Sequence, residues 1–125
     1  MRILVAEDNP LNQKIISTFL GRNNHDVIMA KDGLEAVELF QQYEFDCILM
    51  DLHMPNMDGF QATEAIRSIQ KGMKIPIIAV TASSPLEDKS NCIGAGMNDF
   101  IQKPVQYIDI EFILQRVESG YYTIN

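Results

Sequence analysis

Basic residues are scarce in this sequence, which has 10 Lys and Arg against 17 Asp and Glu and a formal net charge of −7. A protein that binds nucleic acid needs a face rich in Lys and Arg to neutralise the phosphates. The chain has no block of basic residues from which such a face could be built. We therefore predict that the protein has no nucleic-acid partner.

Long apolar runs and clusters of cysteine are missing as well. No apolar run approaches the roughly 18 residues of a membrane-spanning helix. The first apolar run ends at Glu7 and Asp8, so it is too short for the apolar region of a signal peptide. The two cysteines, Cys47 and Cys92, lie too far apart in sequence to suggest a thiolate metal cluster. These absences predict a cytoplasmic protein with reduced thiols and no insertion into a membrane.

The length of 125 residues, 46% of them hydrophobic, suits one hydrophobic core and is short for two domains. We expect one domain over residues 1–118. Periodicity is lost over residues 119–125, which we expect to form a frayed C-terminal tail. We expect the protein to be a monomer or a weak dimer.

Short apolar runs alternate with helical patterns along the chain. Such runs are typical of strands buried on both faces of a parallel sheet; they cover residues 3–6, 27–29, 47–50, 77–80 and, more weakly, 100–101. Capping signals open the helices between them: Asn9-Pro10, Asp32 with Glu35 reaching back to the cap, Asp58 with Gln61, and Ser84-Pro85. The alternation predicts an α/β fold of five βα units, doubly wound with helices on both faces.

Carboxylates stand at the ends of two predicted strands. Folds of this kind bind ligands at the carboxyl ends of their strands, where this chain has Glu7-Asp8 and Asp51. Two like charges about 4 Å apart repel by roughly 4 kcal/mol at an effective dielectric near 20, so three acids in one pocket need a proton or a cation among them. Glu7 and Asp8 alone could be solvated or could interact with a helix dipole. A third acid at another strand end, without nearby thiols, favours a Mg²⁺ site.

Asp51 is also a candidate nucleophile. It follows a run that should be buried, and no helix that it could cap begins before about Asp58. A carboxylate in this position can form an aspartyl phosphate. Thr81, after the fourth strand, would donate its hydroxyl to a phosphoryl oxygen, and Lys103, after the fifth, would neutralise Asp51 and hold the phosphoryl group. His53 is either a general base or metal ligand, or an ordinary loop side chain.

These residues together resemble the receiver domains of response regulators in two-component signalling. The resemblance covers roughly residues 2–118 and is carried by Glu7-Asp8, Leu49-Met50-Asp51, Met54-Pro55 with Asp58-Gly59, Thr81-Ala82 and Lys103-Pro104. It implies a flavodoxin-like (βα)₅ fold with strand order 2-1-3-4-5. It also implies that Asp51 accepts a phosphoryl group from a phosphohistidine donor, and that the protein catalyses only its own phosphorylation and dephosphorylation rather than acting as an enzyme on other molecules.

The resemblance further implies a ligand set for Mg²⁺. Asp8 and Asp51 would bind the ion directly, Glu7 would act mostly through water, and the backbone carbonyl of His53 would complete the set. The imidazole of His53 would then be a neighbour of the phosphate rather than a ligand.

A finer resemblance is to the receivers of hybrid histidine kinases. It is carried by residues 5–9, Asn12-Gln13, residues 50–51 and 57–59, Ala62-Thr63 and Ile66-Arg67. It implies that the partner is a histidine kinase or a histidine phosphotransfer protein. Thr81 and the aromatic residue at position 100 would form the switch pair. Phe100 stands where the family most often has Tyr, and it has no hydroxyl with which to form a hydrogen bond.

The first helix has an unusually wide apolar stripe. At about 100° per residue, Leu11, Ile15, Phe19, Ile16 and Leu20 together span about 180°, whereas a surface helix needs little more than about 100° to face its core. If Ile16 and Leu20 point inward, Leu11 and Ile15 are exposed beside the acidic site. The resemblance selects this edge as a partner surface, with Asn12, Gln13 and Pro104 nearby. The alternative is that a broad helix packs between the sheet and the last helix.

Two other classes of protein share features with this pattern. A flavin-binding flavodoxin has the same fold, but Glu7-Asp8 would repel phosphate in the loop where a flavodoxin binds it. A Mg²⁺-dependent phosphoesterase or nuclease of related topology could also place Glu7 near Asp51. Those enzymes generally have Asp-x-Asp where this chain has Asp51-Leu52-His53.

Overall fold

The computed structural model describes residues 1–83 and 85–123, without the side chains of residues 85–88 and 123. The strands are β1 (Arg2–Ala6), β2 (Asp26–Ala30), β3 (Cys47–Asp51), β4 (Ile77–Thr81) and β5 (Asp99–Gln102). The helices are α1 (Pro10–Gly21), α2 (Gly33–Gln42), α3 (Gly59–Ser68), α4 (Pro85–Ala95) and α5 (Tyr107–Glu118). Two short 3₁₀ helices, Gln70–Gly72 and Tyr121–Thr123, complete the described elements.

The five strands form one parallel sheet in the order β2-β1-β3-β4-β5, which confirms the predicted doubly wound fold. In the register, Ala6 pairs with Met50, Asp51 with Val80, and Thr81 with Gln102. Because parallel strands end on the same side, this register brings the residues that end β1, β3, β4 and β5 to one edge of the sheet.

Each face of the sheet has its own apolar core. Leu4, Ile48 and Ile77 pack towards the face covered by α2, α3 and α4. Ile3 and Leu49 pack towards the opposite face, which α1 and α5 cover. This two-sided burial explains why β1, β3 and β4 are continuous apolar runs rather than alternating ones.

Two of the predicted helix caps form as expected. Oδ1 of Asn9 accepts hydrogen bonds from the backbone N–H of Leu11 at 2.9 Å and of Asn12 at 3.1 Å. Asp58 and Gln61 form a reciprocal capping box at the start of α3. The cap predicted at Ser84 lies outside the described residues.

The capping box predicted at the start of α2 is wrong in one half. Oδ1 of Asp32 accepts from the backbone N–H of Glu35 at 2.8 Å, as expected. However, Glu35 Oε1 accepts from the N–H of Lys31 at 3.0 Å rather than from that of Asp32. The backbone at Asp32 is fully extended (φ −158°, ψ 178°), so the N–H within reach of Glu35 is the one before the cap.

α5 ends at Glu118, and after it the segment expected to be a frayed tail forms a short 3₁₀ helix, Tyr121–Thr123, and side-chain contacts with the domain. Tyr122 donates its hydroxyl hydrogen to Asp99 Oδ2 at 2.6 Å. The Arg116 guanidinium, which pairs with the same carboxylate, lies 4.2 Å from the centre of the Tyr121 ring. Within the described part of the chain, none of the helices has the length and apolarity to cross a membrane.

Candidate functional site

Three carboxylates meet at the edge of the sheet where β1 and β3 end. One oxygen atom from each of Glu7, Asp8 and Asp51 lies within 4.8 Å of the others. Glu7 and Asp51 are 1% and 4% exposed, whereas Asp8 faces solvent. Among residues 1–83 and 85–123, this is the one set of three or more acidic, cysteine or histidine side chains that could hold a metal ion.

Lys103 inserts its ammonium group between two of these acids. Its Nζ lies 3.0 Å from Glu7 Oε1 and 3.3 Å from Asp51 Oδ2. The backbone N–H of Lys103 donates to the Thr81 carbonyl at 2.7 Å, which holds the end of β5 against β4, and the Lys103–Pro104 peptide bond is cis. Burial disfavours the charged ammonium, but the hydrogen bond to Glu7 and the charge of Asp51 outweigh it and raise the pKa of Lys103.

The site disfavours a full set of negative charges. Burial and the neighbouring charge of Glu7 raise the pKa of Asp51 to about 6, although Lys103 acts in the opposite direction. The site holds the carboxylates of Glu7, Asp8 and Asp51 but only the one ammonium of Lys103. Hard oxygen ligands with one solvent-facing member suit Mg²⁺, which keeps several waters and takes one or two carboxylates. The donor set thus fits the metal ion expected from the sequence.

His53 and Thr81 lie at the same edge of the sheet. The backbone N–H of His53 donates to Asp51 Oδ1 across a long 3.4 Å, and its side chain is exposed. Thr81 is 2% exposed at the end of β4, and its Oγ1 accepts from the N–H of Ser83 at 2.9 Å. Phe100 lies near the start of β5, where it pairs with Ala79 and is 37% exposed. The structure therefore brings Thr81 to the site edge and leaves Phe100 further down the sheet with its ring partly in solvent.

Helix α1 packs against the core through Ile16 and Leu20 rather than through Leu11. Ile16 and Leu20 are buried at 1% and 0% exposure, whereas Leu11 is 66% exposed and Ile15 is partly buried. Leu11 is thus exposed, as the first arrangement expects, whereas Ile15 is exposed only in part.

The other residues of the predicted partner surface are Asn12, Gln13 and Pro104, of which Gln13 contacts the acidic site directly. Gln13 donates its side-chain N–H to the Glu7 carbonyl at 2.6 Å, so it ties the start of α1 to the site. Asn12 is half-buried and Pro104 is exposed next to Lys103.

Sequence reasoning assigned no role to Arg67, although it belongs to one of the motifs that carry the finer resemblance. Its guanidinium donates hydrogen bonds to the carbonyls of Gly72, Ile75 and Gly96 and to Oδ1 of Asn98, at 2.6–2.9 Å. It thereby joins the end of α3 to the segments that precede β4 and β5. The partners are up to 31 residues away in sequence, so no local pattern could have revealed them.

Comparison with known proteins places the chain among signalling modules. The family model of the response regulator receiver domain matches residues 3–116 of this chain. Hybrid signal transduction histidine kinase B of Dictyostelium discoideum is 43% identical over 120 residues, which cover 87% of this chain and 6% of that protein. Signal transduction histidine-protein kinase BarA of Escherichia coli strain K12 is 38% identical over 120 residues, 96% of this chain and 13% of that protein. The chain therefore spans only a small part of these curated relatives.

Two solved structures are similar over nearly their whole length. One is the receiver domain of sensor histidine kinase PA1611 from Pseudomonas aeruginosa PAO1, with a magnesium ion coordinated in its active-site cleft. It is 41% identical, with a TM-score of 0.88 and coverage of 94% of this chain and 97% of that one. The other is the co-crystal structure of the Saccharomyces cerevisiae phosphotransfer protein Ypd1 with the receiver domain of Ssk1. It matches with 30% identity and a TM-score of 0.89, over 100% of this chain and 93% of that one.

Proposed function

Because the chain belongs to the response regulator receiver domain family, we propose that it accepts a phosphoryl group from a phosphohistidine donor onto Asp51 and so relays a two-component signal. One observation carries the proposal. A nearly buried carboxylate at the end of β3 lies 3.3 Å from an ammonium and beside two further acids. A nucleophile, an ammonium that neutralises it and a set of ligands for a metal ion thus lie at one place on the sheet edge.

The reaction is a transfer between two carriers. An oxygen of the Asp51 carboxylate attacks the phosphorus of phosphohistidine, and the phosphorus–nitrogen bond breaks. The released imidazole nitrogen takes up a proton, and Asp51 becomes an acyl phosphate. The protein modifies only itself, so this proposal requires no turnover of an external substrate.

We propose Mg²⁺ as the cofactor, held directly by Asp8 and Asp51, through water by Glu7, and by the backbone carbonyl of His53. When bound, Mg²⁺ offsets the charge of the carboxylates and of the phosphoryl oxygens as the transfer proceeds. The donor chemistry of the three acids supports this choice, as does the magnesium ion in the cleft of the related Pseudomonas receiver.

Lys103 and Thr81 are suited to hold the phosphoryl group once it has arrived. The ammonium of Lys103, already 3.3 Å from Asp51 Oδ2, would pair with a phosphoryl oxygen. The hydroxyl of Thr81 accepts a hydrogen bond from Ser83, and a hydroxyl that accepts can still donate its own hydrogen. Thr81 would thus sense the new group, and Phe100 on the neighbouring strand would form the other half of the switch without a hydroxyl of its own.

The partner would be a histidine kinase or a histidine phosphotransfer protein that docks on α1. Leu11 is exposed there, and Gln13 links the start of the helix to Glu7, so a donor bound to this edge would be close to Asp51. The pairing of a similar receiver with Ypd1 supports a partner of this kind. We further propose that the protein acts in the cytoplasm as a monomer or a weak dimer, without a nucleic-acid partner.

The direct test is phosphorylation by acetyl phosphate with Mg²⁺, read by intact-protein mass. The wild type should gain one phosphoryl group, and Asp51→Asn should gain none. Asp46→Asn is the matched control, because Asp46 is an exposed carboxylate that accepts from the N–H of Arg2, in the half of the sheet where the strands begin. A phosphoryl group that survives Asp51→Asn would place the acceptor elsewhere. Hydrolysis of a phosphoester substrate by the wild type would instead favour the phosphoesterase alternative.

A further inference from the structure

Two loops on the same side of the sheet are joined at two points. The β3–α3 loop (residues 52–58) follows Asp51 and contains His53. Asn56 in this loop donates its side-chain N–H to Asp32 Oδ2 at 2.7 Å. Beside it, the backbone N–H of Gly33 donates to the carbonyl of Met57 at 3.0 Å. The start of α2 therefore holds the segment that leads away from the acceptor aspartate.

The two carboxylate oxygen atoms of Asp32 accept hydrogen bonds from two different segments. Oδ1 caps α2 through the N–H of Glu35, and Oδ2 receives the amide of Asn56. The side chain is buried, with 4% of the residue exposed. The hydrogen bond from the Glu35 backbone, and then that from Asn56, lowers the pKa of Asp32, so the carboxylate is charged at neutral pH. Hydrogen bonds to an ionised acceptor are shorter and roughly twice as strong as neutral ones.

The backbone of the loop has a conformation that suits the hydrogen bond from Asn56 to Asp32, which we call the clamp. Asn56 has a φ of +67°, a left-handed conformation that Asn adopts more readily than most residues. Gly33 lies so close to the loop that an added Cβ would overlap the carbonyl oxygen of Met57. A larger residue at position 33 would push the two loops apart, so the close approach depends on this glycine.

The clamp matters for the loop because the hydrogen bond between the loop and the Asp51 carboxylate is long. The N–H of His53 reaches Asp51 Oδ1 only at 3.4 Å, and the His53 side chain is exposed. At the far end of the loop, the N–H of Gly59 donates to the Leu52 carbonyl at 2.9 Å. The clamp from Asp32 contacts the loop between these two points.

We propose that Asp32 and Asn56 are positioning residues for the Mg²⁺ site, because their hydrogen bond holds the β3–α3 loop and with it the His53 peptide beside Asp51. The inference rests on the proposed function, since the His53 carbonyl matters only if Mg²⁺ binds there. Groups that orient metal ligands without touching the metal typically change affinity by about 10–100-fold when removed. Asn56 acts through the backbone of its loop, so an effect near about tenfold is expected.

The first test is Asn56→Gly, which removes the amide and keeps the left-handed backbone unstrained. Calorimetry should show a rise of about tenfold in the Mg²⁺ dissociation constant, and amide hydrogen exchange in the metal-free protein should be faster over residues 52–58. Asn24→Gly is the matched control. Asn24 has a φ of +59° just before β2, at the opposite edge of the sheet, so this variant should bind Mg²⁺ as the wild type does.

The second test separates the clamp from the helix cap. Asp32→Ser keeps a cap for Glu35 but cannot reach Glu35 and Asn56 at once, so it should weaken Mg²⁺ binding as Asn56→Gly does. In the double variant the two effects should not add, because both break one hydrogen bond. Additive effects, or a lower melting temperature with an unchanged dissociation constant, would overturn the proposal. A wild type that neither binds Mg²⁺ nor gains a phosphoryl group on Asp51 would instead refute the proposed function.

Discussion

The ammonium of Lys103 lies 3.0 Å from Oε1 of Glu7, a carboxylate that is 1% exposed. Lys103 therefore neutralises a buried acid of β1 as well as the proposed acceptor of β3. Two carboxylates pair with this one ammonium, and a third, that of Asp8, lies beside them at the edge of the sheet. The stability of the metal-free protein should consequently depend on how these charges are balanced.

Replacing Lys103 with Met should destabilise the metal-free protein. The change keeps an unbranched side chain but leaves Glu7 and Asp51 without their cation. Removing one partner of a buried pair costs about 3–5 kcal/mol, and the lower end is expected because the Lys103 side chain is 19% exposed. Urea denaturation in EDTA measures the loss. Lys71→Met is the control, because Lys71 pairs with Glu44 at 3.5 Å on the surface, where a pair contributes at most about 1 kcal/mol. Equal losses in both variants would contradict the prediction.

The metal-free protein should become more stable as the pH falls from 7 towards 5. The pKa of Asp51 is raised to about 6 in the folded state, chiefly by burial and by the charge of Glu7, and it is about 3.9 when the chain is unfolded. The folded state then binds more protons than the unfolded state between these values. The stabilisation is therefore fully present below about pH 4 and is lost as the pH rises through about 6.

Thermal denaturation of wild type and Asp51→Asn in EDTA, at pH 5, 6 and 7, tests this dependence. Asp51→Asn should be the more stable protein at pH 7, and its advantage should shrink at pH 5. An advantage that stays constant with pH would mean that another group titrates. Adding Mg²⁺ should raise the melting temperature of the wild type and raise that of Asp51→Asn much less.

Leu11→Ala should slow phosphotransfer from the cognate phosphohistidine protein and leave phosphorylation by acetyl phosphate unchanged. Leu11 is 66% exposed, so its truncation should not affect folding. The loss of a central apolar contact typically weakens binding by more than about 1 kcal/mol. Ile93→Ala on α4 is the control, because Ile93 is similarly exposed, at 62%, on a helix that covers the opposite face of the sheet.

Ile15→Ala extends the docking test to a partly buried neighbour on the same edge. Loss of transfer from the phosphohistidine protein alone would support docking on this edge of α1. Equal loss with both donors, or a large drop in melting temperature, would show that Ile15 belongs to the core.

Arg67→Met should destabilise the fold without acting through the acidic site. The substitution leaves the carbonyls of Gly72, Ile75 and Gly96 without a charged donor. A hydrogen bond to a charged group contributes about 1.5–3 kcal/mol, so a loss of about 3 kcal/mol or more is expected in urea denaturation. Arg67→Lys should not restore stability, because an ammonium cannot reproduce the planar fork of donors.

Arg22→Met is the control for this loss. The guanidinium of Arg22 lies over the rings of Phe19 and Tyr107 near the surface, at 5.4 and 4.8 Å from their centres. Contacts of this kind contribute about 0.5–1 kcal/mol at exposed sites. If Arg22→Met destabilised the protein as much as Arg67→Met, the hydrogen bonds of Arg67 would not explain its effect.

The start of α2 shows where prediction from sequence stopped. Asp32 and Glu35 have the spacing of a capping box, and the cap itself forms. The return bond from Glu35 goes to Lys31, and the second oxygen of Asp32 is bound by Asn56, 24 residues away. Spacing predicts contacts within one turn of helix, but it cannot show which other loop will lie against that turn.

The sequence by itself determined the sheet and the edge where the site lies. Continuous apolar runs are stable only when both faces of a strand are buried, and parallel strands then bring Glu7, Asp51 and Lys103 to one edge. Only the tertiary structure decided how these groups pair. The pairing of Lys103 with Asp51 was expected, but its ammonium also lies 3.0 Å from Glu7. Arg67 donates to the Gly96 carbonyl, 29 residues away, and α1 exposes Leu11 while it buries Ile16. Such contacts depend on how helices and loops pack over the sheet, and a pattern that repeats every two or four residues contains no information about that packing.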